Sequence, residues 1–257
     1  MTFYVVIPAR YSSSRLPGKP LREIAGRPMI QRVYDQARGS GARRVIVATD
    51  DARIESAVKT FGGEVCMTSA QHASGTDRLQ EVAAVCGFAD TDIIVNVQGD
   101  EPLIPPAVID QVAENLAASP LASVATLSEP IHSRKDFLDP NVVKVIKDRR
   151  SLALYFSRAP IPWPRDAFAS GAAAKDSDAL PEEIDAQRHI GIYAYRVALL
   201  NRFVNWPLAA LEKVECLEQL RILSEGEAIH VATAVCEVPG GVDTEADLLR
   251  VQSYVKL

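Results

Sequence analysis

Short apolar runs alternate with amphipathic stretches through the first 120 residues, and that rhythm leaves few folds open. Residues 3–7 (FYVVI) are rich in β-branched and aromatic side chains and stop at Pro8, as a strand would. Met29, Ile30, Val33, Tyr34 and Ala37 then recur at helical spacing behind Pro28. Residues 43–49 (RRVIVAT) form the next strand pattern. Ile54, Ala57, Val58 and Phe61 follow with helical spacing, ended by Gly62 and Gly63. A short strand at 65–68 precedes a helix marked by Leu79, Val82, Ala83 and Cys86 and closed by Gly87. Residues 93–97 are an apolar strand core, Val108, Ile109, Val112, Ala113 and Leu116 a further helix, and 123–127 (SVATL) a further strand. Strands and helices alternating at this length predict right-handed βαβ units: an α/β fold with a mostly parallel, Rossmann-like sheet covered by helices on both faces. In such sheets ligands bind beyond the carboxyl ends of the strands, so the loops that follow strands carry the functional argument.

The rhythm changes near residue 130. Residues 142–146 and 153–156 look like strands joined by a turn at Asp148, Arg149, Arg150 and Ser151. Residues 158–186 are rich in Pro, Ala, Asp and Ser without a clean period, and 167–179 are expected to form a mobile loop. Residues 189–195 (HIGIYAY) suggest a strand, 212–223 one helix and 229–235 a strand. Thr244 and Asp247 suit a capping box opening a last helix. A length of 257 residues fits one large domain. We read 1–257 as that domain, with about 130–227 as an insertion packed on the same sheet rather than a separate unit.

The formal net charge of −5 argues against a duplex-binding module, which is usually basic. Cys66, Cys86, Cys216 and Cys236 show no C-x-x-C or zinc spacing. Cys66, Cys86 and Cys236 have apolar neighbours and are expected to be buried free thiols. No apolar run approaches 18 residues and no signal peptide is evident, so no membrane insertion and a cytoplasmic location are expected.

The first strand leads into ten residues holding Arg10, Arg15 and Lys19 with Ser12, Ser13, Ser14 and Gly18. Three cations, hydroxyls and backbone N–H groups at a strand's carboxyl end suit a triphosphate. A solvated basic turn is the plainer alternative. Neither G-x-x-x-x-G-K-[ST] nor G-x-G-x-x-G occurs, which sets aside a Walker loop and a nicotinamide fingerprint. The 93–97 strand runs into Gln98, Gly99, Asp100, Glu101 and Pro102. A carboxylate there, beside phosphate-binding cations, suits Mg²⁺, which takes one or two carboxylates plus substrate phosphates. Asp90 and Asp92 form a D-x-D, but they precede their strand and so fall at the wrong edge. Asp50 and Asp51 suit a helix cap. On local grounds Asp243, between a strand and the last helix, also suits a cap. His189 alone suits a structural role.

Six blocks change the weighting: 7–21 (IPARYSSSRLPGKPL), 95–102 (VNVQGDEP), 153–165 (ALYFSRAPIPWPR), 188–196 (RHIGIYAYR), 211–221 (LEKVECLEQLR) and 242–244 (VDT). Together they resemble the 3-deoxy-D-manno-octulosonate (Kdo) cytidylyltransferases, or CMP-Kdo synthetases, nearly end to end. Residues 166–184 are longer and richer in alanine than the resemblance leads one to expect. The resemblance implies a nucleotidyltransferase (GT-A-like) domain that transfers CMP from CTP to the anomeric hydroxyl of Kdo, releasing pyrophosphate, for lipopolysaccharide synthesis. The insertion would then serve sugar binding and dimerisation, and the protein would be a homodimer. Arg10, Arg15 and Lys19 would hold the CTP phosphates, with Ser74, Gly75 and Arg78 near the nucleotide and Gln98 at the ribose or the sugar. Asp100 and Asp243 would bind Mg²⁺, with a second ion on the triphosphate. Arg158, Arg165, His189, Tyr193, Glu218 and Gln219 would line the sugar pocket, where a guanidinium matches the Kdo carboxylate. The alternatives are a cytidylyltransferase for 8-amino-Kdo or a sialic acid, and a glycosyltransferase that uses a nucleotide sugar.

Overall fold

The computed structural model of the chain describes residues 1–12, 16–72, 74–169, 179–181 and 184–255. The strands are β1 Phe3–Ala9, β2 Glu23–Ile24, β3 Arg27–Pro28, β4 Arg44–Thr49, β5 Glu64–Met67, β6 Ile93–Asn96, β7 Val124–Pro130, β8 Lys144–Lys147, β9 Ala153–Ser157, β10 Gln187–Arg196 and β11 Ile229–Thr233. The helices are α1 Met29–Arg38, α2 Ala52–Thr60, α3 Gly75–Cys86, α4 Pro106–Ala118, α5 Arg134–Leu138, α6 Arg165–Ala169, α7 Val197–Phe203, α8 Ala210–Glu215, α9 Gln219–Ser224 and α10 Glu245–Val255.

The main sheet runs β11-β7-β10-β6-β1-β4-β5, and β2 and β3 form a separate small hairpin. Side chains of β1 alternate between two cores. Phe3, Val5 and Ile7 meet α1, α2 and α4 through Ile30, Val33, Ile54, Val58, Val108 and Val112 on one face. Tyr4 and Val6 meet α3, α7 and α9 through Leu79, Val82, Leu199, Leu200 and Leu220 on the other. A strand buried on both faces has no polar side to show, which is why it is written as one apolar run.

Pro8 does not end β1, contrary to the sequence reading; the strand continues to Ala9. Val6 accepts from the Val97 N–H, so even-numbered residues of β1 face β6, and that pairing ends at Val6 opposite Asn96. Pro8 therefore faces a side where the ladder has already closed, while β4 continues to pair through Ala9.

Six strands of the main sheet point one way and β10 points the other, antiparallel to both β6 and β7. This reversal governs the site. The start of β10 lies at the carboxyl edge of its neighbours, with His189 opposite Ser128 and Tyr193 opposite Asn96. The register shifts between Ile190 and Tyr193, and the Thr126 hydroxyl meets the carbonyls of Ile190 and Ile192 at 3.0 and 2.7 Å inside that bulge. The β8–β9 hairpin hangs from β10 through Lys144 and Arg188.

Two further expectations are corrected. Residues 212–223 are not one helix: Cys216 has φ 52°, a left-handed conformation that separates α8 from α9. An ion pair of Glu212 with Arg221, at 2.5 and 2.9 Å, clamps the two short helices together. Cys236 is exposed, and Cys66 and Cys86 are only half-buried. The segment expected to be a mobile loop lies mostly outside the described residues.

Candidate active site

The carboxyl ends of β1 and β6 open into a cleft of about 480 Å³ lined by Arg10, Lys19, Ser74, Gly75, Gln98, Asp100, Glu218 and Asp243, among others. After β6 the chain must turn tightly under β1. A Cβ on Gly99 would sit 2.8 Å from the Pro8 carbonyl oxygen, so only glycine fits that approach. The same turn delivers Asp100. Its carbonyl accepts from the Val242 N–H at 2.8 Å, a backbone bond that draws the 240–243 segment alongside. Gly241 fits that contact as well, since a Cβ there would lie 3.2 Å from the Asp100 carbonyl.

Asp100 and Asp243 thus become neighbours across 143 positions of chain (243 − 100). The Lys19 ammonium lies 2.6 Å from Asp100 Oδ2 and 3.1 Å from Asp243 Oδ1, which puts the two oxygens within about 5.7 Å, the sum of those distances. Burial of the amine opposes its charge, but the two carboxylates outweigh that cost and raise the Lys19 pKa above its ordinary value. Asp243 does not cap α10. Thr244 and Asp247 do so reciprocally: the Thr244 N–H donates to Asp247 Oδ2 at 2.9 Å, and the Asp247 N–H to Thr244 Oγ1 at 3.2 Å. Asp51, in contrast, does cap α2.

Among the described residues no three His, Cys, Asp or Glu side chains form a metal-holding group. Mg²⁺ does not need three: one or two carboxylates and substrate phosphates suffice. Asp100 and Asp243 already share a cation in the Lys19 ammonium, so their donor set fits a divalent ion.

Opposite the carboxylates stands the N-terminus of α3. Ser74 caps it in a box with Asp77, the two bonds measuring 3.2 and 3.0 Å. The Arg10 guanidinium bonds the carbonyls of His72 at 2.5 Å and Ser74 at 3.5 Å, which ties the basic loop to this helix start. A helix N-terminus beside Arg10 favours an anion. Glu218 reaches in from the start of α9 and accepts from the Thr76 hydroxyl. Burial raises its carboxyl pKa, against the hydroxyls of Thr76 and Ser74.

The other expected residues divide. Gln98 is on the cleft wall and donates toward the Gly191 carbonyl at 3.5 Å. Tyr193 is buried next to it in β10, its ring 5.3 Å from that of His189. His189 also packs edge-on against Phe156 at 5.0 Å and meets the Thr126 hydroxyl at 3.0 Å through Nε2. Burial, helped by Arg188, pushes its pKa down to about 3, so the imidazole is neutral at physiological pH. Arg158 is turned to backbone, donating to the carbonyls of Glu215 at 2.7 Å and Pro140 at 3.0 Å. Gln219 is buried beside Glu218 without lining the cleft.

Two placements correct the sequence reading. Arg78 is not on the cleft wall; it is fully buried, paired with Asp50 at 3.0 Å and with the Thr68 hydroxyl, and braces the loops after β4 and β5. Arg165 points to solvent, pairing at 2.8 Å with Asp166, its own neighbour. Arg15 lies outside the described residues. Asn96, Thr76 and Glu215 went unread. Asn96 is 5% exposed, lines the cleft and has no hydrogen-bond partner for its Oδ1 among the described residues; the signal was a lone amide in an otherwise apolar strand. Glu215, which holds Arg158, has no sequence signal beyond its block.

Fold and cleft together define a nucleotidyltransferase-like α/β protein, with anion-binding groups facing a carboxylate pair across the sheet edge. A family model described as cytidylyltransferase matches residues 4–229. A solved CMP:2-keto-3-deoxy-manno-octonic acid synthetase complexed with CTP superposes with a TM-score of 0.88 at 43% identity, covering 100% of this chain and 99% of that one. A cytidylyltransferase from Leptospira borgpetersenii shares the fold at 17% identity, with a TM-score of 0.62 over 100% of this chain and 87% of its own. The 3-deoxy-manno-octulosonate cytidylyltransferase of Cellvibrio japonicus is 65% identical over 257 residues, covering 100% of this chain and 99% of its own; that of Saccharophagus degradans is 61% identical over 258, with the same coverage. This chain belongs to the 3-deoxy-manno-octulosonate cytidylyltransferase family.

Proposed function

We propose that the chain transfers CMP from CTP to the anomeric hydroxyl of Kdo, forming CMP-Kdo and releasing pyrophosphate. The observation that carries this reading is the convergence of Arg10, Lys19, Asp100 and Asp243 on one cleft, in a chain that matches named Kdo cytidylyltransferases over its full length. In this reaction the anomeric oxygen attacks the α-phosphorus in line as pyrophosphate departs, so positioning and charge neutralisation do most of the work. Arg10 and the α3 N-terminus bind the triphosphate, and Lys19 adds a cation beside it. Asp100 and Asp243 hold Mg²⁺, which supplies positive charge to the reacting phosphate when bound. Glu218 and Gln98 line the cleft on the acceptor side, and neutral His189, packed against Phe156 and Tyr193, moves no proton. Arg158 is the cation that the family resemblance offers for the sugar carboxylate; in the ligand-free protein its guanidinium is held by the carbonyls of Glu215 and Pro140.

No helix of the described residues is long and apolar enough to cross a membrane. CTP is an intracellular substrate, and we place the reaction in the cytoplasm. We also propose a homodimer. Leu154, Trp163, Leu208, Leu211 and Val214 are exposed on the second half, Val214 by 83%, and among the described residues β8 is the one strand that pairs with β9. Sedimentation at one chain mass would refute that.

The function is tested by incubating the protein with Mg²⁺, CTP and Kdo and following phosphorus signals. Pyrophosphate and a new phosphodiester should appear in equal amounts, and should not appear when N-acetylneuraminate or 8-amino-Kdo replaces Kdo. Pyrophosphate release only with one of those sugars, or equally without sugar, overturns the reading.

A further inference from the structure

Lys19 occupies an unusual place for a phosphate-binding lysine, because its ammonium lies between the two carboxylates assigned to the metal. We propose that Lys19 is a resident counter-cation: it holds Asp100 and Asp243 together in the ligand-free protein, gives way to the divalent ion, and is thereby released toward the triphosphate. This inference rests on the reading of Asp100 and Asp243 as the Mg²⁺ pair.

Three observations support the exchange. The carboxylate oxygens are within about 5.7 Å of each other, the sum of 2.6 and 3.1 Å, and a bare pair at that spacing repels. A divalent ion carries twice the charge of one ammonium, so it is the stronger partner for two carboxylates. The backbone on both sides is also set without the ammonium. Lys19 is placed by its N–H bond to the Leu16 carbonyl at 3.1 Å and by the left-handed turn at Gly18, φ 65°. Asp243 is placed by the Val242 bond to Asp100 and by its own N–H donating to Asp247 at 3.2 Å. The lysine side chain can leave while the site stays formed. By reciprocity, whatever draws Lys19 away from the carboxylates strengthens metal binding, and nucleotide phosphates do so.

The test is Mn²⁺ titration followed by electron paramagnetic resonance on the full chain without nucleotide, for wild type, Lys19→Met and Asp100→Asn. Methionine keeps the apolar stem and removes the charge. Lys19→Met should bind Mn²⁺ at least ~10-fold more tightly than wild type, the scale of one charge-assisted hydrogen bond removed from competition. Added CTP should tighten Mn²⁺ binding less in Lys19→Met than in wild type. Equal or weaker Mn²⁺ affinity in Lys19→Met, with Asp100→Asn abolishing binding, overturns the counter-cation and leaves the metal pair standing. Wild-type affinity in Asp100→Asn overturns the metal pair itself. Should Lys19→Met fail to fold, wild type labelled with ¹³C at lysine Cε decides. The Lys19 signal, assigned by its loss in Lys19→Arg, should move when Mg²⁺ alone is added. A signal that stays still while Mn²⁺ binding saturates refutes the exchange.

Discussion

Gly99→Ala is a one-carbon change that tests how tightly the active-site loop is built. The new Cβ would lie 2.8 Å from the Pro8 carbonyl oxygen, a backbone atom rather than a side chain that could swing away. Recovering ordinary van der Waals contact needs roughly 0.6 Å of movement. β1 is pinned to β4 through Ala9, so the movement falls on the loop carrying Gln98 and Asp100. That loop is in turn bonded to Val242, and the shift passes to Asp243. Overpacking of this kind costs about 1–3 kcal/mol, or a melting point lower by about 2–10 °C for a chain of this size. Displacing a carboxylate proposed to hold Mg²⁺ by a good fraction of an ångström should lower turnover by about 10- to 100-fold. Pyrophosphate release reads the second effect and scanning calorimetry the first. Gly191→Ala, whose Cβ would meet nothing within 4 Å, should melt with the wild type. Wild-type turnover and melting in Gly99→Ala would refute the argument.

Other residues make separable predictions. Arg78→Met leaves Asp50 without its buried partner and should cost about 3 kcal/mol of stability in denaturant unfolding while barely changing KM for CTP; a selective rise in KM would return Arg78 to the nucleotide site. Arg10→Ala should weaken CTP by at least ~10-fold in calorimetric titration, and unaltered affinity would sink the triphosphate assignment. His189 has a folded pKa of about 3, below its unfolded value. Under acid the unfolded chain therefore gains a proton that the folded chain refuses, and stability falls as pH drops below about 6.5. Between pH 6.5 and 5 that is roughly 1.5 kcal/mol, absent in His189→Gln, and equal losses in both proteins would contradict the neutral imidazole.

The α/β architecture was legible because a strand buried on both faces must be apolar throughout and each covering helix must show one apolar stripe. Arg10, Lys19 and Asp100 were legible because each lies in a loop that leaves the carboxyl end of a strand, β1 for the two cations and β6 for the carboxylate. The reversal of β10 was not: the pattern HIGIYAY is the same in either direction, so only pairing shows that His189 reaches the carboxyl edge. Asp243 was ambiguous for a related reason. A carboxylate before a helix looks like a cap, and only the Val242 bond to Asp100 turns it toward Lys19. Arg78 was placed near the nucleotide by the resemblance alone, and no local pattern shows that Asp50 and Thr68 satisfy its charge inside the protein. The break at Cys216 escaped because a left-handed residue needs no glycine when an ion pair such as Glu212 with Arg221 holds the turn.

The central claim is that Asp100 and Asp243 act as one unit on one ion, and a double-mutant cycle tests it most directly. Turnover of Asp100→Asn, Asp243→Asn and the double variant should be measured with CTP, Kdo and saturating Mg²⁺. Each single change should cost at least ~100-fold, the scale of losing one preorganised electrostatic stabiliser. The double change should cost little more than the worse single one, because residues acting together are not additive. Losses that multiply, or a mild loss in Asp243→Asn alone, would show that the two carboxylates do not share a task.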